Sequence, residues 1–143
     1  MIKWVLDTDY VSLLQRGHPV VVNKVAAVNP AEIAITLITI VEQMYGRLDV
    51  IKRGKSKQEL VTAYVLFRET FNLLCQANIL DFNEAAFDIY NELLKQKIRV
   101  GTQDLKIAAI ALSLNATVVT RNFKDFQKIP NLKIVDLSIT EGQ

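Results

Sequence analysis

Short apolar runs of strand length alternate with segments of helical period along the whole chain. Residues 2–6, interrupted only by Lys3, read as a buried strand that stops at Asp7-Thr8-Asp9. There Asp7 or Thr8 can cap a helix carrying Tyr10, Val11, Leu13 and Leu14. After the Gly17-His18-Pro19 turn, Val21, Val25 and Val28 suggest a second helix over 20–28, in spite of valine's poor helix propensity. Residues 33–35 give the second strand. Thr39-Ile40-Val41-Glu42 matches the capping-box pattern, with Met44, Tyr45 and Leu48 following at helical spacing. A long helix from about Lys57 to Gln76 sets Leu60, Tyr64, Phe67, Phe71 and Leu74 on one face. Residues 39–76 thus predict a helical hairpin, with Lys52, Arg53, Lys55 and Lys57 making its tip basic around Gly54.

Residues 79–82 are a short third strand, and Asn83 caps a helix through Ala86, Phe87, Tyr90, Leu93 and Leu94. The stretch 100–126, VGTQDLKIAAIALSLNATVVTRNFKDF, organises the rest. Gly101 and Thr102 break the preceding helix; Thr102 is a good N-cap, which puts Asp104 in the first turn of the next one. From 105 to 114 only Lys106 and Ser113 are polar, so this helix must be covered on most sides. Asn115 suits a left-handed terminal residue, 116–119 an interior strand, Pro130-Asn131 a turn and 132–135 a last strand. Residues 140–143 read as frayed. Strands alternating with helices predict an α/β fold, a parallel sheet with helices on both faces, in one domain over 1–143.

Composition narrows the chemistry. A length of 143 residues suits one domain, and 50% hydrophobic residues exclude a disordered chain. The net charge of +2 permits an anionic partner without requiring one. The single cysteine, Cys75, excludes an intramolecular disulfide and a thiolate metal cage; its apolar surroundings predict a core position. A lone histidine, His18, excludes a His-rich zinc site and leaves any Ser/His/Asp triad resting on one turn residue. No apolar run is long enough to span a bilayer, and Asp7 follows too soon for a signal peptide. A cytoplasmic protein is expected.

The acids matter by position. In a parallel sheet ligands gather at the carboxyl edge of the strands. Asp7, Glu42, Asp104 and Asp125 all map to that edge. Each alone is explained as a helix cap or dipole partner, with Glu42 closing a box on Thr39 and Asp125 one on Asn122. Together they are not, since two carboxylates ~4 Å apart cost on the order of 4 kcal/mol at an effective dielectric near 20. A cap returns only ~1 kcal/mol. Such a cluster calls for a divalent cation, and oxygen donors without His or Cys suit Mg²⁺ or Mn²⁺. Those ions serve phosphoryl chemistry, which points to a nuclease. Lys106, Arg121 and Lys124 stand near these acids in sequence and are candidate contacts to a nucleic-acid phosphate backbone.

Four motifs carry a family resemblance. Val5-Leu6-Asp7-Thr8-Asp9, residues 35–42 with Thr39-x-x-Glu42, Gly101-Thr102-Gln103-Asp104 and Thr120-Arg121-Asn122…Asp125-Phe126 resemble, in order and spacing, the PIN domain. More closely they resemble the VapC toxins of bacterial toxin–antitoxin pairs. The resemblance implies an α/β/α sandwich, a Mg²⁺- or Mn²⁺-dependent endoribonuclease, and a homodimer held inactive by a small VapB-like antitoxin. Transfer RNA is the substrate favoured by analogy, with ribosomal RNA next. By position, Asp7 and Asp104 are implied metal ligands, and Glu42 a ligand or an orienter of the attacking water. Asp9 stands where many relatives have Asn, and Asn122 where many carry a fourth acid; Asp125 is taken as that acid. Thr8, Asp9, Thr120 and Asn122 are expected to support the ligating carboxylates. Two other readings compete: a receiver-like phospho-acceptor domain, and a non-catalytic binding module whose acids are only caps.

Overall fold

The computed structural model describes residues 1–139; the fraying expected at 140–143 lies outside the described residues. Five short strands, β1 (Trp4–Leu6), β2 (Ile33–Thr36), β3 (Ile79–Leu80), β4 (Thr117–Val119) and β5 (Lys133–Val135), form one sheet in the order β3-β2-β1-β4-β5. Every pairing is parallel. β1 is central, and its register with β4 sets Val5 beside Val118 and Leu6 beside Val119. Successive side chains point to opposite faces, so both faces of these strands must be apolar, as Val5, Leu6, Val118 and Val119 are.

Helices fill both sides. Val5 and Val118 pack with α5 (Glu84–Lys95), α6 (Thr102–Ser113) and Phe126 of the short α7 (Phe123–Phe126). Leu6 and Val119 pack with α1 (Thr8–Gln15), α2 (Pro19–Ala26) and Leu74 of α4 (Lys57–Cys75). The result is the three-layer α/β/α sandwich. α6 is the buried helix: Leu105, Ile107, Ala108, Ala109, Ile110 and Ala111 are all inside, alanines letting it sit close to the sheet. Asn115 ends it in the left-handed region at φ 53°. α3 (Leu37–Arg53) and α4 pack together, joined by Gly54-Lys55-Ser56.

Several expectations are corrected. α3 begins at Leu37, capped by Thr36, whose hydroxyl accepts from the Thr39 N–H at 3.3 Å. Thr39 is therefore inside the helix, and no capping box joins it to Glu42. The N-cap of α6 is Gly101 rather than Thr102, with no side-chain cap. On α4 the inward residues are Ala63, Thr70 and Leu74, while Leu60, Tyr64 and Phe71 are exposed. Tyr45 and Leu48 are exposed as well, and so is Cys75, expected in the core. His18 caps α2, its Nδ1 accepting from the Val21 N–H at 3.3 Å.

Candidate active site

The carboxyl edge of the sheet brings together chain segments far apart in sequence. Asp7 leaves β1 directly and caps α1: its Oδ1 accepts from the Tyr10 N–H at 2.8 Å. Its Oδ2 accepts from the Thr120 hydroxyl at 2.6 Å, just past β4. Both hydrogen bonds favour the ionised form, yet Asp7 is only 3% exposed. Burial dominates, helped by the charges of Asp9 and Asp104, and pushes the carboxyl from its ordinary 3.8 up to about 6. Capping accounts for one oxygen of Asp7 and leaves its electrostatic cost standing.

Asp104 has no such excuse. It lies in the first turn of α6, which carries no side-chain cap hydrogen bond. Burial raises its carboxyl to about 6, and the charges that add to the rise, Glu42, Asp9 and Asp125, are all negative. Glu42, in the second turn of α3, accepts from the Thr8 hydroxyl at 2.7 Å through Oε1. Thr8 Oγ1 in turn lies 3.0 Å from Thr39 Oγ1, and Thr39 is fully buried. Asp9 is exposed, and its charge acts on both Asp7 and Asp104.

The fourth motif is a chain of contacts ending on Asp7. Thr120 Oγ1 donates to Asp7 and accepts from the Asn122 N–H at 2.8 Å. The Asn122 amide donates to Asp125 Oδ2 at 3.0 Å, and Lys128 Nζ lies 3.6 Å from Asp125 Oδ1. The Asn122 hydrogen bond, with Lys128 and Lys124 adding, holds the Asp125 carboxyl below the usual range. Asp125 is thus ionised and partly neutralised by its own neighbours, unlike Asp7 and Asp104. Its relation to Asn122 is a side-chain pair rather than a capping box.

The cations diverge. Lys106 places its ammonium 5.8 Å from the centroid of the Tyr90 ring on α5. Lys124 acts on Asp125, and Arg121 on Asp136, just after β5. Asp136 went unnoticed in the sequence, although it too follows a strand at this edge. It accepts from the buried Tyr10 hydroxyl at 2.8 Å and from both the Ser138 N–H and hydroxyl.

Among the described residues, no three His, Cys, Asp or Glu side chains stand close enough to grip a metal ion in this arrangement. The donor chemistry is nonetheless that of a hard-cation site. Asp7, Asp104 and Glu42 offer only oxygen, and the two aspartates carry the cost of burial and of neighbouring negative charge at about pKa 6. Mg²⁺ or Mn²⁺ fits such donors, and a thiolate- or imidazole-seeking ion does not.

A family model for the PIN domain matches residues 4–132. The chain is 36% identical over 104 residues to Ribonuclease VapC2 of Rickettsia felis, covering 70% of each protein. It is 27% identical over 142 residues to the tRNA(fMet)-specific endonuclease VapC of Shigella flexneri, covering 96% of this chain and all of the relative. Its fold superposes with a TM-score of 0.78 on a chain of DNA-bound VapBC from Salmonella typhimurium, at 26% identity, over 96% of this chain and 99% of the other.

Proposed function

Since the chain belongs to the PIN domain family, we propose that it is a divalent-metal-dependent endoribonuclease of the VapC toxin type, hydrolysing phosphodiester bonds in RNA. The observation that carries this reading is the pair Asp7 and Asp104, both raised to about 6 at one edge of the sheet. Acids kept where their ionised forms are disfavoured serve a ligand more than they serve the fold.

Asp7 and Asp104 would hold the ion, with Asp125 as the fourth acid beside Asn122. A bound Mg²⁺ or Mn²⁺ supplies charge neutralisation at phosphoryl oxygens and a more acidic water. The chain's own part is to fix the carboxyls. Thr120 and the Tyr10 N–H hold one oxygen of Asp7 each, and Thr8 holds Glu42. Glu42 would orient the attacking water or join the ion. Lys106, Arg121 and Lys124, near these acids in sequence, are assigned to the RNA backbone. The name of the Shigella relative favours transfer RNA as the substrate class.

The Salmonella neighbour is DNA-bound VapBC by its description. A small VapB-like antitoxin is the proposed partner here, with a homodimeric toxin. Val41, Tyr45 and Leu48, at helical spacing on one side of α3, are 58%, 75% and 54% exposed, a suitable bed for an amphipathic antitoxin helix. Among the described residues no helix is long and apolar enough to cross a membrane; a cytoplasmic site of action is proposed. The receiver-like and cap-only readings are set aside on the family match.

The test is cleavage of pooled transfer and ribosomal RNA by purified protein with Mg²⁺, Mn²⁺ or chelator. Discrete products that need the ion and vanish in Asp7→Asn and Asp104→Asn are expected; products that survive chelation would overturn the metal dependence.

A further inference from the structure

Glu42 lies on the flank of a long helix and receives a single side-chain hydrogen bond, from Thr8. What orders that one donor decides how well Glu42 is aimed. A threonine hydroxyl has one proton and two lone pairs. Thr8 Oγ1 is 2.7 Å from Glu42 Oε1, a carboxylate that can only accept, so the Thr8 proton is committed there. Thr8 Oγ1 also lies 3.0 Å from Thr39 Oγ1. With its own proton spent, Thr8 must accept in that contact and Thr39 must donate. The direction of the chain is settled: Thr39 to Thr8 to Glu42.

We propose that Thr39 is a positioning residue for the nuclease, a fully buried hydroxyl that fixes the Thr8 rotor and through it the Glu42 carboxylate. The inference rests on the ribonuclease reading for its catalytic consequence, though not for its geometry. Thr39 is 0% exposed, so it acts through Thr8 rather than on a substrate directly. Its place is set by the backbone, because its N–H is the group that the Thr36 hydroxyl caps. Thr8 follows Asp7 immediately on α1, and Thr39 lies on α3 one turn before Glu42. The relay therefore locks the helix that carries Asp7 to the helix that carries Glu42. A polar group so deeply buried is costly unless its hydrogen bond is made, and here the bond is spent on the site. Bonds in a chain also strengthen one another away from water.

Thr39→Val keeps the shape, removes the hydroxyl and leaves the Thr36 cap to the backbone intact. Thr39→Ser keeps the hydroxyl. In steady-state RNA cleavage, Thr39→Val is expected to lower kcat about 3- to 10-fold, the worth of one neutral hydrogen bond, with KM within about twofold. Thr39→Ser is expected to restore most of the loss. In a Thr8→Val background the Thr39→Val change is expected to cost nothing further, since the relay is already cut. A full loss on top of Thr8→Val, an unchanged kcat, or a serine variant as slow as valine would overturn the proposal. The second readout needs no activity: three-bond couplings that report the Glu42 χ1 rotamer. One rotamer is expected in the wild type and in Thr39→Ser, and averaging in Thr39→Val. A Glu42 equally ordered in Thr39→Val refutes the relay even if the wild type cleaves no RNA, an outcome that would count against the ribonuclease reading alone.

Discussion

The Thr120 hydroxyl donates to Asp7 Oδ2 at 2.6 Å across 113 positions of sequence, and this bond stabilises the charged form of a carboxyl that burial disfavours. Thr120→Val removes it and also strips the Asn122 N–H of its acceptor. A cost of about 1.5–3 kcal/mol at pH 7 is expected, the range for hydrogen bonds to a charged group. The cost should shrink at pH 4.5, where Asp7 is mostly protonated. Urea unfolding at the two pH values measures it, and an equal cost at both would contradict the assignment.

Asp7 and Asp104 both titrate higher when folded, at about 6 against an ordinary 3.8. The folded chain thus holds their protons longer than the unfolded chain does. Their contribution to stability is full below pH 3.8 and is lost as pH rises through about 6. The wild type, compared with an Asp7→Asn/Asp104→Asn double variant, should lose Tm between pH 4.5 and pH 7 in chelator. Saturating Mg²⁺ or Mn²⁺ at pH 7 should recover it, since the ion binds only the folded, ionised site. Parallel pH curves for the two proteins would refute the assignment.

Asp104→Asn separates stability from activity. The neighbouring charges of Glu42, Asp9 and Asp125 all act against Asp104. Removing its charge should raise Tm by a few degrees in chelator at pH 7, while RNA cleavage falls by at least about 100-fold, the scale of losing an electrostatic catalytic group. Calorimetry and cleavage of the same preparation check both halves; a variant that loses Tm along with activity would mean that Asp104 serves the fold.

Tyr45 is 75% exposed on α3 and contributes little to the chain's own core. Tyr45→Glu should leave Tm within about 2 °C and weaken binding of the proposed antitoxin by tenfold or more, as expected of an aromatic anchor. Titration calorimetry with that antitoxin is the measurement. Unchanged affinity would move the docking surface elsewhere.

Much of this architecture is legible from residues. The β-branched run at 117–119 and the apolar helix before it allow only a buried strand and a covered helix, and both form. The edge position of Asp7, Glu42 and Asp104 follows from the parallel order. Phase was harder. Thr36, Thr39 and Glu42 repeat every three residues, so two capping registers look alike. The choice fell to β2, which extends to Thr36 and pairs with Leu80. On α3 and α4 apolar residues occur all round, and helical spacing alone does not tell a face packed inward from one kept for a partner. That is why Tyr45, Leu48 and Tyr64, at helical spacing, lie outside, as does Cys75, expected in the core. Asp136 escaped notice because its partner Tyr10 is 126 positions away.

The strand order carries a consequence for synthesis. β1 is made first and sits in the middle, flanked by β2 and by β4, which ends at Val119. Asp7 meets Thr120 only after β1 and β4 have paired, so the acidic edge stays open until the chain has been made past Thr120. A nascent chain holding only the earlier motifs has Asp7 and Glu42 without Asp104 or the Thr120 clasp. The order of translation therefore acts as a delay. The proposed site is incomplete until the last of its motifs has been made.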